Sequence, residues 1–171
     1  SPYQTENLDE YSIAKQESEL RHREAKHHNI IDLRIFSYFH RTQSQESNFL
    51  LSNIVRAIRT GETLEVEAGN IWRDYLGAAD FSQILFASLS ARLRNATIDA
   101  FTAAPISKFE LLDACADQFK LKYVIKPQSA TTGTSKEKYY SEARSEALDY
   151  KPTQTSLENV MTEIGAILRG E

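Results

Sequence analysis

Short apolar runs of strand length alternate along the chain with longer segments of helical periodicity. The runs are rich in β-branched and aromatic residues, which is typical of strands, and they are IIDLRIFSYF (residues 30–39), LEVE (64–67), IWRDYL (71–76), ATIDAFTA (96–103) and LKYVIK (121–126). The segments between them predict helices at about residues 7–28, 49–60, 79–91 and 108–119, and a last helix after residue 155. This alternation predicts an α/β or mixed α+β fold.

Local signals predict where several helices begin and end. Ser107 with Glu110, and Thr155 with Glu158, have the spacing of a capping box, and Gly61 follows a predicted helix as a C-terminal cap.

Further signals predict helix starts and a loop. Thr5 or Asn7 is the predicted N-cap of the first helix, and Pro152 blocks an earlier start of the last one. The small, polar stretch QSATTGTSKEK, which ends at Lys138, predicts an exposed loop.

The composition limits the classes of protein to which this chain can belong. The chain has 171 residues, 41% of them hydrophobic, and a net charge of −4, which indicates one packed domain that does not bind nucleic acid. Its single cysteine, Cys115, forms no internal disulfide, so we expect a core position and a cytoplasmic location. No apolar run is long enough to cross a membrane. The only methionine is Met161, so we expect further residues upstream of Ser1.

Tyr11 and Lys15 lie four residues apart and therefore share one face of the first predicted helix. An ammonium near a phenol favours the phenolate, and such a tyrosine can exchange a proton with an alcohol or carbonyl oxygen. The pair is also compatible with a packed tyrosine beside a solvated lysine.

The cluster Trp72-Arg73-Asp74-Tyr75 is a second candidate site. A guanidinium fork matches phosphate oxygens, and the aromatic rings beside it can border a base or sugar. The alternative is that Arg73 pairs with Asp74 while Trp72 lies in the core.

A metal site is not predicted. His22, His27 and His28 are expected on one helix, and His40 follows a strand, but no pair has the i, i+4 spacing of a helical zinc site. The scattered glycines form no phosphate-binding loop.

The order of the segments YSIAK, NIIDLRIFSYF, NIWRDYLGAADFSQIL, SKFELLDACADQF and DYKPTQTSLEN resembles the C-terminal half of the extended short-chain dehydrogenase/reductases, the nucleotide-sugar epimerase/dehydratase group. The resemblance implies the end of a Rossmann-like parallel sheet plus a smaller, mixed α/β substrate-binding lobe. It assigns residues 1–42 to the catalytic helix and the last part of the Rossmann-like domain. Residues 43–171 would form mostly the substrate-binding lobe, with segments that return to the Rossmann-like domain.

The resemblance also implies roles for single residues. Tyr11 would be the catalytic tyrosine and Lys15 its partner, and both would contact the cofactor. LRIFSYFH resembles the family's LRYFNVYG, so Phe36 and Ser37 would line the cofactor pocket, and Ser37 would also contact the substrate. Ser37 replaces the usual asparagine and His40 the usual glycine, so the pocket departs from the family's pattern at these two positions.

WRDYLGAAD resembles the family's RDYIHVDD and carries the implied substrate contacts. Arg73 would contact the nucleotide diphosphate, with Trp72 beside it, while Asp74 would support the local fold. Asn48 lies near where the family binds the sugar nucleotide.

The resemblance implies NAD or NADP as cofactor and a nucleotide-diphosphate sugar as substrate. The family's glycine-rich loop and its catalytic Ser or Thr would precede Ser1, so we expect that this chain alone is inactive and does not bind NAD(P) tightly. In this family the Tyr-Lys helix packs against its counterpart in a partner subunit, which implies a homodimer of the full-length protein.

Epimerases, dehydratases and 4-ketoreductases of this family share hydride transfer at a sugar carbon, commonly C4. We favour a 4-ketoreductase or an epimerase, with Tyr11 exchanging the hydroxyl proton. The alternative is a non-catalytic relative that binds a dinucleotide or a protein partner. The substitutions at Ser37 and His40 leave this alternative open, whereas the intact Tyr11 and Lys15 argue against it.

Overall fold

The computed structural model describes residues 10–44, 46–92, 95–127, 138–141 and 148–171. Within these ranges the helices are α1 (Glu10–Glu24), α2 (Leu50–Thr60), α3 (Ala78–Ser90), α4 (Lys108–Phe119) and α5 (Ser156–Arg169). The strands are β1 (Ile31–Ile35), β2 (Ser37–Tyr38), β3 (Thr63–Val66), β4 (Trp72–Arg73), β5 (Tyr75–Leu76), β6 (Ala96–Ala100), β7 (Ile106–Ser107), β8 (Lys122–Ile125) and β9 (Lys138–Tyr139).

The described strands form small sheets that are mostly parallel. β1 pairs with β6, β2 with β5 and β3 with β8, each in parallel. In a further sheet, β4 lies between antiparallel β7 and parallel β9. Parallel pairs connected through helices confirm the predicted α/β class.

The buried apolar residues form two clusters. The larger one joins β3 and β8 to the apolar faces of α2, α4 and α5, and its fully buried members include Ile54, Leu112 and Ile164. The smaller one lies around β6, α3 and the end of β5, and includes Ile84 and Ile98. Cys115 is buried in the larger cluster as predicted, and burial raises the pKa of its thiol to about 12.

The predicted caps are present. Glu110 N donates to Ser107 Oγ and Ser107 N donates to Glu110 Oε2, which completes the capping box of α4. Thr155 and Glu158 form the equivalent box of α5. Gly61 ends α2 with a left-handed φ of 72°, which glycine adopts without strain.

Two predicted strands are each divided in the structure. The run 30–39 splits at Phe36 because β1 pairs with β6, whereas β2 pairs with β5. The run 71–76 splits at Asp74 because β4 pairs with β7 and β9, whereas β5 pairs with β2. The apolar composition of the run 30–39 is typical of a buried strand, but β1 is half-buried and ends on an exposed residue.

Helix α1 ends at Glu24, four residues earlier than predicted. The side-chain amide of Asn95 donates to the carbonyls of Arg23 and Ala25 at 3.3 and 3.0 Å, so a distant residue caps this end of the helix. His27 and His28 therefore lie beyond the helix. The predicted N-caps of α1 and residues 128–137 of the predicted loop lie outside the described residues, and Lys138 begins β9 rather than ending a loop.

Candidate functional site

Two clefts open beside the β1–β2 connection. The first, the Arg73 cleft, has a volume of about 820 Å³ and lies between β2, the start of α2, and β4. Its lining includes the aromatic and hydroxyl side chains Phe36, Ser37, Tyr38, Ser44, Ser47, Phe49, Ser52, Tyr75 and Tyr139, together with Arg73. The second, the Tyr11 cleft, has a volume of about 530 Å³ and lies between α1 and β1. Its polar lining comprises Tyr11, Ser12, Lys15, Ser18, Glu19, His22, Asp32 and Arg34.

Phe36 and Tyr139 line both clefts and form a wall shared between them. Their rings meet edge to face, with centroids 5.5 Å apart and planes at 73°. Arg73 Cζ lies 5.3 Å from the centre of the Tyr139 ring. The sequence-predicted residues Tyr11, Lys15, Phe36, Ser37 and Arg73 are thus divided between two adjoining clefts.

Tyr11 and Lys15 lie on one face of α1, as their spacing predicts. The Lys15 Nζ atom is 5.6 Å from the centre of the Tyr11 ring. Tyr11 is 70% exposed, so the alternative of a tyrosine packed on a neighbouring element does not describe it. Both side chains are therefore open to a ligand in the Tyr11 cleft.

A partly buried ion-pair network fixes the helix that carries this pair. The Glu19 carboxylate accepts from Arg34 Nε at 2.8 Å and from Arg34 Nη2 at 2.5 Å, so the pair is bidentate. Arg34 reaches Asp99 on β6 at 3.5 Å, and Ser141 Oγ donates to Asp99 at 2.6 Å. The network joins α1, β1, β6 and the segment after β9.

Sequence reasoning missed this network, although Glu19 lies four residues after Lys15 on α1. A second contact, between His22 Nδ1 and Asp32 Oδ1 at 2.7 Å, links α1 to β1 in the same way. The sequence signal for these polar contacts was the charge-rich composition of α1, which has few apolar side chains to pack on a strand.

Asp74 is buried and does not pair with Arg73. Its carboxylate accepts from Thr102 N and Oγ1 and from Ser156 Oγ, with the shortest distance, 2.6 Å, to Thr102 Oγ1. Asp74 therefore supports the local fold, as expected, and the alternative of an Arg73–Asp74 pair is wrong. Arg73 Nη1 donates to the Trp72 carbonyl at 2.9 Å.

Tyr75, beside Arg73 in the cleft lining, is partly buried. Burial raises the pKa of its phenol, and the positive charge of Arg73 lowers it by less. Tyr75 therefore lines the Arg73 cleft as a neutral phenol.

Asn48, Trp72 and His40 line neither cleft. Asn48 is exposed between two lining residues, Ser47 and Phe49. Trp72 is half-buried on the side of β4 facing away from Arg73, with its ring 6.5 Å from that of Tyr140. His40 stacks on Tyr38, and its Nδ1 atom contacts Thr42 Oγ1 at 2.9 Å.

Across the described ranges, no three His, Cys, Asp or Glu side chains cluster as a metal site requires. In the same part of the chain, no helix combines the length and apolar character needed to cross a membrane.

A scan against models of known protein families and a search of curated protein sequences both find no match to this chain. Solved structures do match. MoeE5 in complex with UDP-glucuronic acid and NAD superposes with a TM-score of 0.75 at 19% identity, over 98% of this chain and 59% of MoeE5. UDP-N-acetylglucosamine 4-epimerase from Methanobrevibacter ruminantium M1, in complex with UDP-N-acetylmuramic acid, gives a TM-score of 0.75 at 16% identity, over 100% of this chain and 60% of the epimerase.

A dTDP-glucose 4,6-dehydratase from Bacillus anthracis in complex with NAD also matches, with a TM-score of 0.72 at 14% identity, over 99% of this chain and 56% of the dehydratase. The fold is thus the one shared by nucleotide-sugar epimerases and dehydratases, as the resemblance predicts. The chain spans about 60% of the length of MoeE5 and the epimerase.

Proposed function

We propose that this chain is the C-terminal part of an NAD(P)-dependent enzyme that acts on a nucleotide-diphosphate sugar. The observation that carries the proposal is the pair of adjoining clefts, one lined by Tyr11 and Lys15 and the other by Arg73. A nucleotide sugar has a reacting sugar at one end and a diphosphate further along, so it needs both kinds of group within reach.

The matching structures support this proposal. MoeE5 is bound to UDP-glucuronic acid and NAD, and the dehydratase is bound to NAD. We propose a division at residue 42: residues 1–42 belong to a Rossmann-like domain, and residues 43–171 form mostly a substrate-binding lobe. On this proposal α3 and β6 return to the Rossmann-like domain, since β6 pairs with β1.

Tyr11 is the proposed proton donor and acceptor. When the 4-hydroxyl of the sugar is oxidised, its proton passes to the Tyr11 oxygen, and in the reverse direction Tyr11 returns that proton to the 4-keto oxygen. The Lys15 ammonium lies beside the Tyr11 ring, where its charge favours the phenolate.

The Tyr11 cleft has groups that fit part of a nicotinamide nucleotide. Lys15 offers donors for ribose hydroxyls, and the wall of Phe36 and Tyr139 offers apolar contact for a flat ring. NAD(P), when bound, accepts or supplies the hydride. Ser37, next to Phe36, is proposed to contact cofactor and substrate from the Arg73 cleft.

Arg73 is the proposed contact for the diphosphate, because a guanidinium binds phosphate oxygens with paired hydrogen bonds. Trp72 and Asn48 remain proposed substrate contacts on the resemblance alone. Trp72 lies on the face of β4 opposite Arg73, so its ring would have to move to the other face to contact a ligand in the Arg73 cleft. Asn48 is adjacent in sequence to two residues that line this cleft, Ser47 and Phe49.

We also propose a homodimer through α1 in the full-length protein and a cytoplasmic location. Ile13 and Leu20 of α1 are both at least half exposed, which supports a partner on this helix. The single free cysteine is compatible with a reducing compartment.

The test is a Tyr11→Phe variant of the full-length protein, assayed against UDP-, dTDP-, GDP- and CDP-sugars with NAD and NADP. We expect turnover to fall at least about 100-fold, the usual contribution of a general acid or base, while binding of the nucleotide sugar is retained. Tyr123→Phe is the matched control, because Tyr123 lies on β8 and its hydroxyl donates to Asp113 at 2.5 Å.

Full activity in the Tyr11→Phe variant would refute the role of Tyr11. A wild-type protein that binds nucleotide sugar and cofactor but turns over no member of the panel would favour the non-catalytic alternative. The panel also separates reaction types, since an epimerase returns an inverted sugar, a dehydratase releases water and a ketoreductase consumes reduced cofactor.

A further inference from the structure

Tyr139 comes from a short strand that the sequence did not predict. β9 pairs in parallel with β4, and in this register Tyr139 lies opposite Arg73. The neighbouring ring of Tyr140 lies near Trp72 instead, because successive side chains of a strand point to opposite faces. The strand pairing therefore places one tyrosine on the side of the Arg73 cleft and its neighbour on the other side.

Two contacts, together with its place in the cleft linings, define the surroundings of Tyr139. Its ring meets Phe36 edge to face at 5.5 Å, it lies 5.3 Å from Arg73 Cζ, and it lines both clefts. It is 37% exposed, so one part of the ring faces solvent while another packs on its neighbours.

We propose that Tyr139 is a positioning residue, whose ring holds the Arg73 guanidinium in place for a nucleotide diphosphate. This inference rests on the proposed function, because it concerns how the proposed diphosphate contact is oriented. It adds Tyr139 to the functional residues of the Arg73 cleft. On this inference, the orientation of Arg73 depends on Tyr139.

The physical argument concerns the freedom of the arginine side chain. A long side chain loses rotamer entropy when it is ordered, and ordering it before the ligand arrives removes that cost from binding. The contacts that hold Arg73 include the Tyr139 ring and the hydrogen bond to the Trp72 carbonyl. A ring contact of this kind attracts the positive charge without using a conventional acceptor, so it leaves hydrogen-bonding capacity for phosphate oxygens.

The test measures ligand binding by titration calorimetry in the full-length protein. UDP-, dTDP-, GDP- and CDP-glucose are compared first, and the one that binds most tightly becomes the probe. We expect Tyr139→Leu to weaken probe binding about fivefold, the size of a partly exposed cation–π contact. Tyr139→Phe keeps the ring and is expected to bind within about twofold of the wild type.

A double-mutant cycle separates positioning from packing. In an Arg73→Gln background, Tyr139→Leu should weaken probe binding no further, because the group that Tyr139 positions is gone. Tyr140→Leu, at the residue that directly follows β9, is the matched control and should leave binding unchanged.

Several results would overturn the inference. Equal weakening by Tyr139→Leu with and without Arg73 would show that the ring acts only through packing. Unchanged binding in Tyr139→Leu, or equal loss in Tyr140→Leu, would remove the role of Tyr139 while the proposed function stands. If the wild type binds none of the four nucleotide sugars, the proposed function fails and the inference fails with it.

Discussion

Helix α1 and the helices α2, α4 and α5 are held in the molecule by different forces. The three later helices pack through one continuous apolar cluster with β3 and β8. Helix α1 is attached mainly through polar contacts, with Glu19 paired to Arg34 and His22 to Asp32, while its apolar side chains Ile13 and Leu20 face solvent.

This difference has a consequence for function. Apolar burial depends little on pH or on any one partner, whereas a buried ion pair is costly once one partner is lost. The proposed proton-transfer pair therefore lies on the element with the weaker support, and the proposed substrate lobe has the stronger core.

The largest expected effect is in the apolar cluster. Leu112 is fully buried on α4, and Leu112→Ala is expected to lower the free energy of unfolding by about 3 kcal/mol, through lost burial and the cavity left behind. Urea denaturation of the 171-residue chain measures this. Leu89→Ala is the control, since Leu89 is 75% exposed on α3, and an equal loss in both variants would contradict the role of the cluster.

The second prediction concerns the ion pairs that hold α1. Glu19→Gln removes the carboxylate that pairs with the half-buried Arg34 and is expected to destabilise α1 locally by about 2 kcal/mol. Hydrogen exchange should accelerate at the amides of α1 and not at those of α2.

The control for that experiment is Glu17→Gln. Glu17 pairs with Arg21 on the exposed side of the same helix, where an ion pair contributes little. If both variants accelerate exchange in α1 equally, the anchoring role of Glu19 is wrong.

The same contrast explains what the sequence could predict. The boundaries at Gly61, Ser107 and Thr155 were correct, because a cap depends on residues a few positions apart. The predicted end of α1 was wrong, because the capping residue, Asn95, is about 70 positions away in the chain. The break at Phe36 was missed for a related reason, since it depends on which strand each half pairs with.

In the candidate site, too, features set by neighbouring residues could be predicted, and features set by long-range pairing could not. Tyr11 and Lys15 were predicted to lie together because helical spacing alone brings them to one face. Arg73 could be singled out from its aromatic neighbours, but its contact with Tyr139 depends on the pairing of β9 with β4, a long-range register with no local signal.

A smaller effect is expected from pH at the loop that follows β2. The Glu163 carboxylate on α5 accepts from Arg41 N at 2.8 Å and Arg41 Nε at 3.0 Å. Burial raises the pKa of Glu163, but the hydrogen bonds and charge of Arg41 lower it by more, so the pKa of Glu163 is below its ordinary value of 4.5.

The sign follows from linkage. A carboxyl group with a lowered folded-state pKa stabilises the protein above its unfolded pKa, and this contribution is lost as the pH falls through the folded value. The free energy of unfolding of the wild type should therefore exceed that of Glu163→Gln by about 1 kcal/mol at pH 7. This difference should become smaller below pH 4.5. Urea midpoints at pH 7, 5 and 3 measure this, and a gap that stays constant with pH would contradict it.

The smallest effect on stability is expected at the exposed apolar side chains of α1. Ile13 and Leu20 are 50% and 58% exposed, so Ile13→Gln with Leu20→Gln should change the unfolding free energy of the 171-residue chain by less than about 0.5 kcal/mol. If α1 forms the proposed dimer contact, the same double variant should weaken self-association of the full-length protein, measured by sedimentation. Glu17→Gln on the same helix serves as the control, since it removes a charge without removing apolar surface. A large loss of stability in the isolated chain would show that these side chains pack within the subunit, and α1 would then share the apolar support of the other helices.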